Sequence, residues 1–169
     1  MKKTYKDRPM TIKGNIVHLH AWELRPQEET YDYSQKVGAL ESVVNDMASS
    51  SKIVPIYIQG QTGSGKTVLA NVLKENGNNV EIVDVLSLKE SGNNTPSKLI
   101  SDSSITYIVD EAGYADMEII SKVEEHSKKG GIVIMLLQDI RDLPKKVMEV
   151  EVKPKYLKLS RGKLIEISI

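Results

Sequence analysis

Cysteine is absent from this 169-residue chain, which excludes both a disulfide framework and a thiolate metal site. Neither sign of charge is in excess: 23 basic residues stand against 23 acidic ones. The chain therefore has no global attraction to nucleic acid or membrane, and only local patches can supply one. Long apolar runs are also missing. The longest, Ile132-Val133-Ile134-Met135-Leu136-Leu137, is too short to span a bilayer and reads as a buried strand. Met1-Lys2-Lys3 opens a basic end, but no apolar run follows it, so no signal peptide is read there. The expectation is a cytoplasmic protein with no membrane insertion, long enough to bury a real core.

Against these absences stands one dense stretch, Gly60-Gln61-Thr62-Gly63-Ser64-Gly65-Lys66-Thr67. It fits G-x-x-x-x-G-K-[ST], the phosphate-binding P-loop. An apolar strand pattern, Ile53 to Ile58, precedes it, and a helical one, Val68 to Lys74, follows. The glycines permit a tight turn with several N–H groups pointing inward, a nest for an anion. The helix that follows directs its positive dipole end at the same point. Lys66 brings a compact positive charge to the β- and γ-phosphates, and the Thr67 hydroxyl can ligate Mg²⁺. Residues Gln61 to Val68 are the expected binding loop.

Ahead of the loop, residues 1–14 are polar and basic and read as a loosely held, solvated tail, with nucleic-acid contact as the alternative. Ile16 to Ala21 alternates as a strand and puts His18 and His20 on one face. That pair suits a metal, but no third ligand is apparent nearby, and the face reads as solvent-exposed. Glu23 to Asp32 reads as a loop. Residues 1–33 are thus an N-terminal extension with one strand, and residues 34–169 the main domain. Ser34 to Met47 is helical by the spacing of Val37, Leu40, Val43, Val44 and Met47. It is expected to cover the sheet.

Beyond the P-loop helix, Asn76-Gly77-Asn78-Asn79 is a stop, and Val80 to Leu86 reads as a strand. Thr95-Pro96 reads as the start of a short helix through Ser101. Ile105 to Ala112 is an apolar strand ending in Asp110-Glu111, the Walker B pattern. This strand is expected beside the P-loop strand, with Asp110 at its carboxyl end holding Mg²⁺ and Glu111 orienting or deprotonating a water. Asp116 to Lys129 is an amphipathic helix with Met117, Ile119, Ile120 and Val123 inside, stopped by Gly130-Gly131. Gln138 ends the next strand, where a polar side chain can sense a phosphate or hold a water. Leu157 and Leu159, then Ile165, Ile167 and Ile169, flank Ser160-Arg161-Gly162-Lys163 as a basic hairpin. Solvated strand faces and nucleic-acid backbone contact account for its lysines equally well.

The P-loop with Asp110-Glu111 resembles the P-loop ATPases that carry a catalytic glutamate beside the Walker B aspartate, the division of the AAA+, RecA-like and FtsK/HerA groups. Val109-Asp110-Glu111-Ala112, the Ser127-to-Gly131 helix end and Leu136-Leu137-Gln138-Asp139-Ile140-Arg141-Asp142-Leu143-Pro144 look most like the FtsK/HerA group of DNA-pumping, coupling and packaging ATPases. Gln138 matches the glutamine those proteins place after Walker B. Zonula-occludens-toxin-like phage assembly ATPases share similar features. The resemblance spans residues 53–148. It departs from large motors in lacking a membrane segment, a winged helix and an extended insert.

The expected fold is α/β, a P-loop NTPase with a mainly parallel sheet, helices on both faces and a C-terminal antiparallel hairpin. The expected function is Mg²⁺-dependent ATP hydrolysis in a small stand-alone ATPase, coupled to DNA translocation, packaging, transfer or assembly in a plasmid or phage-like system. Lys66, Glu111, Gln138 and Arg141 are the catalytic candidates. Arg141, or Arg161, would act as an arginine finger on a neighbouring subunit of a homo-oligomer or from a partner. Two alternatives stand beside it: an ATP-dependent switch that recruits a partner, and a small-molecule kinase. An Arg-rich lid is not seen, and a kinase does not need the Asp110-Glu111 pair.

Overall fold

The computed structural model describes residues 8–23, 25–90, 102–142, 155–160 and 163–167. The chain opens with β1 (Met10–Lys13), β2 (Ile16–Leu19) and β3 (Glu29–Asp32), followed by α1 (Ser34–Ala48). The three strands form one antiparallel sheet in the order β1-β2-β3. Two expectations are corrected here. Residues 10–13 are a strand rather than part of a loose tail, and the stretch read as a loop ends in a strand. The extension therefore carries three strands among its described residues, not one. The physical reason is that a lone β2 would leave a ladder of unpaired N–H and C=O groups on both sides. Gly14, at φ 58°, turns β1 into β2. The strands β1 and β3 are only four residues long; β1 is half polar, and β3 is polar but for Tyr31, so neither shows a strand's alternation plainly.

The main body runs β4 (Ile56–Gln59), α2 (Lys66–Asn76), β5 (Val80–Asp84), α3 (Val85–Glu90), β6 (Thr106–Asp110), α4 (Met117–Lys128), β7 (Val133–Leu137), β8 (Lys155–Leu159) and β9 (Leu164–Ile167). These strands form a six-stranded sheet in the order β5-β6-β7-β4-β8-β9. All neighbours are parallel except β8 and β9, which form the terminal antiparallel hairpin. Successive residues of each strand point to opposite faces. On one face Ile56, Ile58, Ile108, Ile134 and Leu136 pack with α1 and α2. On the other, Tyr57, Tyr107, Val109, Val133 and Met135 pack with α4 and the start of α3. Burial on both faces explains why β7 reads as an unbroken apolar run. The fold is the expected α/β architecture, a mainly parallel sheet with helices on both faces and a C-terminal antiparallel hairpin.

The sequence places β6 beside β4, and the structure does not. β7 lies between them. The chain leaves β4 through α2 to the far edge, returns inward through β5, β6 and β7, then crosses β4 to β8. The connection from β4 skips two strands and the one from β7 skips β4, so the neighbours of β4 are not its neighbours along the chain. The strand expected over Val80–Leu86 stops at Asp84, whose carboxylate accepts the Ser87 N–H at 3.2 Å and starts α3. Met117, expected inside, is exposed, because it precedes the buried stripe of Ile119, Ile120 and Val123. Asp116 caps α4 by accepting the Ile119 N–H at 3.0 Å. The expected helix 97–101, Pro144, Arg161 and Ile169 lie outside the described residues.

At the other end of α4, His126 is buried and bonds the Ile105 carbonyl oxygen at 3.0 Å. Its ring meets Tyr107 edge-on at 5.1 Å. A Cβ on Gly131 would fall 2.2 Å from His126 Nε2. Gly131→Ala should therefore displace the imidazole and cost about 1–3 kcal/mol, as overpacking does. A denaturant melt is the measurement, and an unchanged midpoint would show that the ring is free to move.

Candidate functional site

The carboxyl ends of β4, β6 and β7 converge where the chain reverses direction in the sheet, the usual ligand crevice of an open α/β fold. After β4 the chain turns through residues 60–65 into α2. Gly65, the residue that caps α2, has φ 94°, and a Cβ there would lie 2.6 Å from the Tyr33 hydroxyl. Glycine is needed on both counts. Lys66 Nζ donates to the carbonyls of Gly60 and of Gln61, the latter at 3.0 Å. Burial pushes the pKa of Lys66 down, and the nearby carboxylates of Glu111 and Asp110 oppose that shift.

Thr67 is the second residue of α2, and its Oγ1 donates to Asp110 Oδ2 at 2.9 Å. Asp110 is buried at the end of β6, and its Oδ1 accepts the Glu111 N–H at 2.9 Å. Gln138, just past β7, donates from Nε2 to Thr62 Oγ1 at 2.8 Å. A cavity of about 430 Å³ opens over the loop. Thr62, Gly63, Gly65, Lys66, Thr67 and Val68 line it, as do Asp110, Glu111 and Gln138. Ser64 lines an adjoining cavity of about 270 Å³ that shares Gly63 and Gly65. Within the loop, Ser64 Oγ is buried with no hydrogen-bond partner among the described residues. Gln61 lines neither cavity and contributes its carbonyl. The hydroxyl and carboxylate oxygens of Thr67 and Asp110 are the hard donor set that suits Mg²⁺.

Arg141 is not among the residues lining this cavity. Its side chain is 85% exposed, and the guanidinium grips Asp139 through both carboxylate oxygens. Those hydrogen bonds hold the Asp139 carboxyl at about 2. In its place the structure brings Arg25, which lines both cavities. Arg25 sits on the segment between β2 and β3, paired backbone to backbone with Trp22 at 2.8 and 2.9 Å. Nothing in its local sequence marks it. Only the packing of the small sheet ahead of α1 carries it to the loop. A larger cavity, about 640 Å³, lies between α1 and α2 and holds no part of this constellation.

Glu111 has φ 55° and ψ 41°, the one non-glycine residue with positive φ among the described residues. Left-handed backbone at such a residue marks strain of the kind that collects at functional sites.

No protein-family model matches the chain, and no curated protein matches it. Several solved structures are similar to it, two of which follow. The N-terminal domain of zonular occludens toxin from Neisseria meningitidis is 18% identical, with 68% of this chain and 83% of that one covered at a TM-score of 0.47. The ATPase DotB of Legionella pneumophila is 12% identical, with 89% of this chain and 57% of that one covered at a TM-score of 0.40.

The strain at Glu111 is measurable. Relief of a left-handed residue is worth about 1–2 kcal/mol, against about 0.5–1 kcal/mol for the extra freedom of glycine in the unfolded chain. Glu111→Gly should therefore leave the melting temperature unchanged or raised. A marked fall would mean that contacts of the Glu111 side chain outweigh its backbone strain.

Proposed function

We propose that the chain is an Mg²⁺-dependent ATPase. The observation that carries this reading is the convergence on one cavity of Lys66, the Thr67–Asp110 hydrogen bond, Glu111 and Gln138. Lys66 gives up its bonds to the loop carbonyls and turns to the phosphates, whose negative charge favours the protonated amine and opposes the downward push of burial. Thr67 and Asp110 would hold Mg²⁺, which when bound would supply positive charge against the phosphates. Glu111 orients a water and accepts its proton at the carboxylate. Gln138, tethered to Thr62, reports on the phosphate side of the same space.

The ionic groups of the cavity sum to nothing. Lys66 and Arg25 balance Asp110 and Glu111. A triphosphate then brings uncompensated negative charge, which a divalent cation and a further arginine must meet. Arg25 supplies positive charge from within the chain, and Arg141, on the surface and paired with Asp139, would have to leave that carboxylate to meet a neighbouring subunit's site. Coupling to DNA is the reading that the resemblance to pumping and packaging ATPases favours. Lys158 and Lys163 are exposed on the terminal hairpin and suit a phosphate backbone, whereas Lys155 is paired with Glu166 at 3.1 Å.

The test is ATP turnover at several protein concentrations, with and without single- and double-stranded DNA. Turnover should rise with concentration and with DNA. Lys66→Ala should abolish tight ATP binding, and Glu111→Gln should bind ATP as the parent does while losing on the order of a hundredfold or more in rate. Parental ATP affinity in the first variant, or parental turnover in the second, would overturn the assignment. Arg25→Ala should lower the rate more than the affinity. Equal losses in both would make Arg25 a binding group alone.

A further inference from the structure

The sheet ahead of α1 holds a second constellation. Alternation along β2 buries Val17 and Leu19 and turns His18 and His20 to the opposite face. Register does the rest. His18 stands opposite Thr11 on β1 and Thr30 on β3, and Leu19 opposite Glu29, so Glu28 comes level with His20. The Glu28 carboxylate lies 3.5 Å from His18 Nε2 and 3.9 Å from His20 Nδ1. Those separations are too long for hydrogen bonds. They approach the spacing of ligand atoms around a tetrahedral ion, roughly 3.3 Å for metal–ligand bonds of about 2.0–2.1 Å. One ligand atom from each of the three residues lies within 4.8 Å of the others.

The other ring nitrogens are held from behind. Thr11 Oγ1 lies 2.6 Å from His20 Nε2, and Thr30 Oγ1 3.3 Å from His18 Nδ1. Hydroxyl partners on the far nitrogens fix the ring orientations and leave the near nitrogens to a cation, the usual outer support of a histidine metal ligand. Two imidazoles and one carboxylate select a borderline transition ion, whereas Mg²⁺ and Ca²⁺ take all-oxygen sets.

We propose that His18, His20 and Glu28 form a three-ligand site for Zn²⁺, separate from the phosphate cavity and with different metal chemistry. The site has a structural consequence. His20 and Glu28 bracket the segment that carries Arg25. A cation bridging β2 to Glu28 ties that segment off at its base and restricts where Arg25 can stand over the phosphate loop.

The experiment is a calorimetric titration of the full chain, prepared without a polyhistidine tag, with Zn²⁺ in excess Mg²⁺ and no nucleotide. Co²⁺ serves as the spectroscopic probe. The expected result is one Zn²⁺ per chain and a tetrahedral cobalt spectrum. His18→Ala, His20→Ala and Glu28→Ala should each weaken binding by more than tenfold, and Thr30→Val by about tenfold. All four side chains are at the surface, and circular dichroism checks that each variant is folded. No heat of binding at stoichiometric zinc would overturn the proposal. So would equal affinity in the parent and the His18→Ala/His20→Ala double variant. Neither result depends on ATP hydrolysis, so the zinc site and the ATPase reading stand or fall apart.

Discussion

The hydrogen bond from Thr67 Oγ1 to Asp110 Oδ2, 2.9 Å long, ties the phosphate loop to a strand two places away in the sheet. Strands lie about 4.8 Å apart, so β4 and β6 are separated by roughly 10 Å with β7 between them. A side chain on β4 does not reach that far. A hydroxyl on the first turn of α2 does, because the loop lifts the helix start over the ends of the strands. The bond also answers a cost at the other end. Asp110 is 3% exposed, and a carboxylate so placed is stable only if donors are supplied. Thr67 and the Glu111 N–H are two of them. Sheet order, loop conformation and carboxylate burial are therefore one constraint met three ways.

Glu111 inherits its conformation from that constraint. Because Asp110 Oδ1 takes the N–H of the next residue, the chain turns sharply at the end of β6 rather than running on. The turn enters left-handed space at Glu111 and continues through the 3₁₀ turn Ala112–Tyr114. Ala112 is fully buried against β7, and this holds the turn in place. The strained residue is also the one whose carboxylate lines the cavity. Strain at that point is sustained by packing on both sides of it, not by the residue's own preference.

Much of this was legible in the sequence because the governing physics is local. The spacing of glycines and Lys66, the apolar run ending in Asp110-Glu111 and the placement of Gln138 each lie on one strand end or one turn. What escaped was non-local. Insertion of β7 between β4 and β6 depends on which crossover skips which strand. The strands β1 and β3 are too short and too polar to announce themselves, so their pairing with β2 was invisible. The same blindness hid Glu28 beside two histidines whose shared face was plain. It also hid Arg25, whose role comes from where a small sheet packs, not from its neighbours in the chain.

That small sheet is not a passive appendage. Val17, Leu19 and Tyr33 belong to the same buried cluster as Leu40, Ile56 and Ile58, so the sheet is packed into the main core. Arg8, itself 3% exposed, holds the segment leading to and from Arg25 at both ends. Its guanidinium donates to the His20 carbonyl at 3.1 Å, the Gln27 carbonyl at 2.6 Å and Glu29 Oε2 at 2.9 Å. Three bonds from one rigid fork anchor the two ends of the segment and leave its middle to solvent. Arg25 is thus carried on a span whose base is fixed and whose tip is exposed, beside a loop in which the Tyr33 hydroxyl takes the space a side chain on Gly65 would need. A cation that reaches the Gly60–Thr67 loop from a separately anchored span can shift its position without disturbing the Thr67–Asp110 bond, on which the loop itself depends.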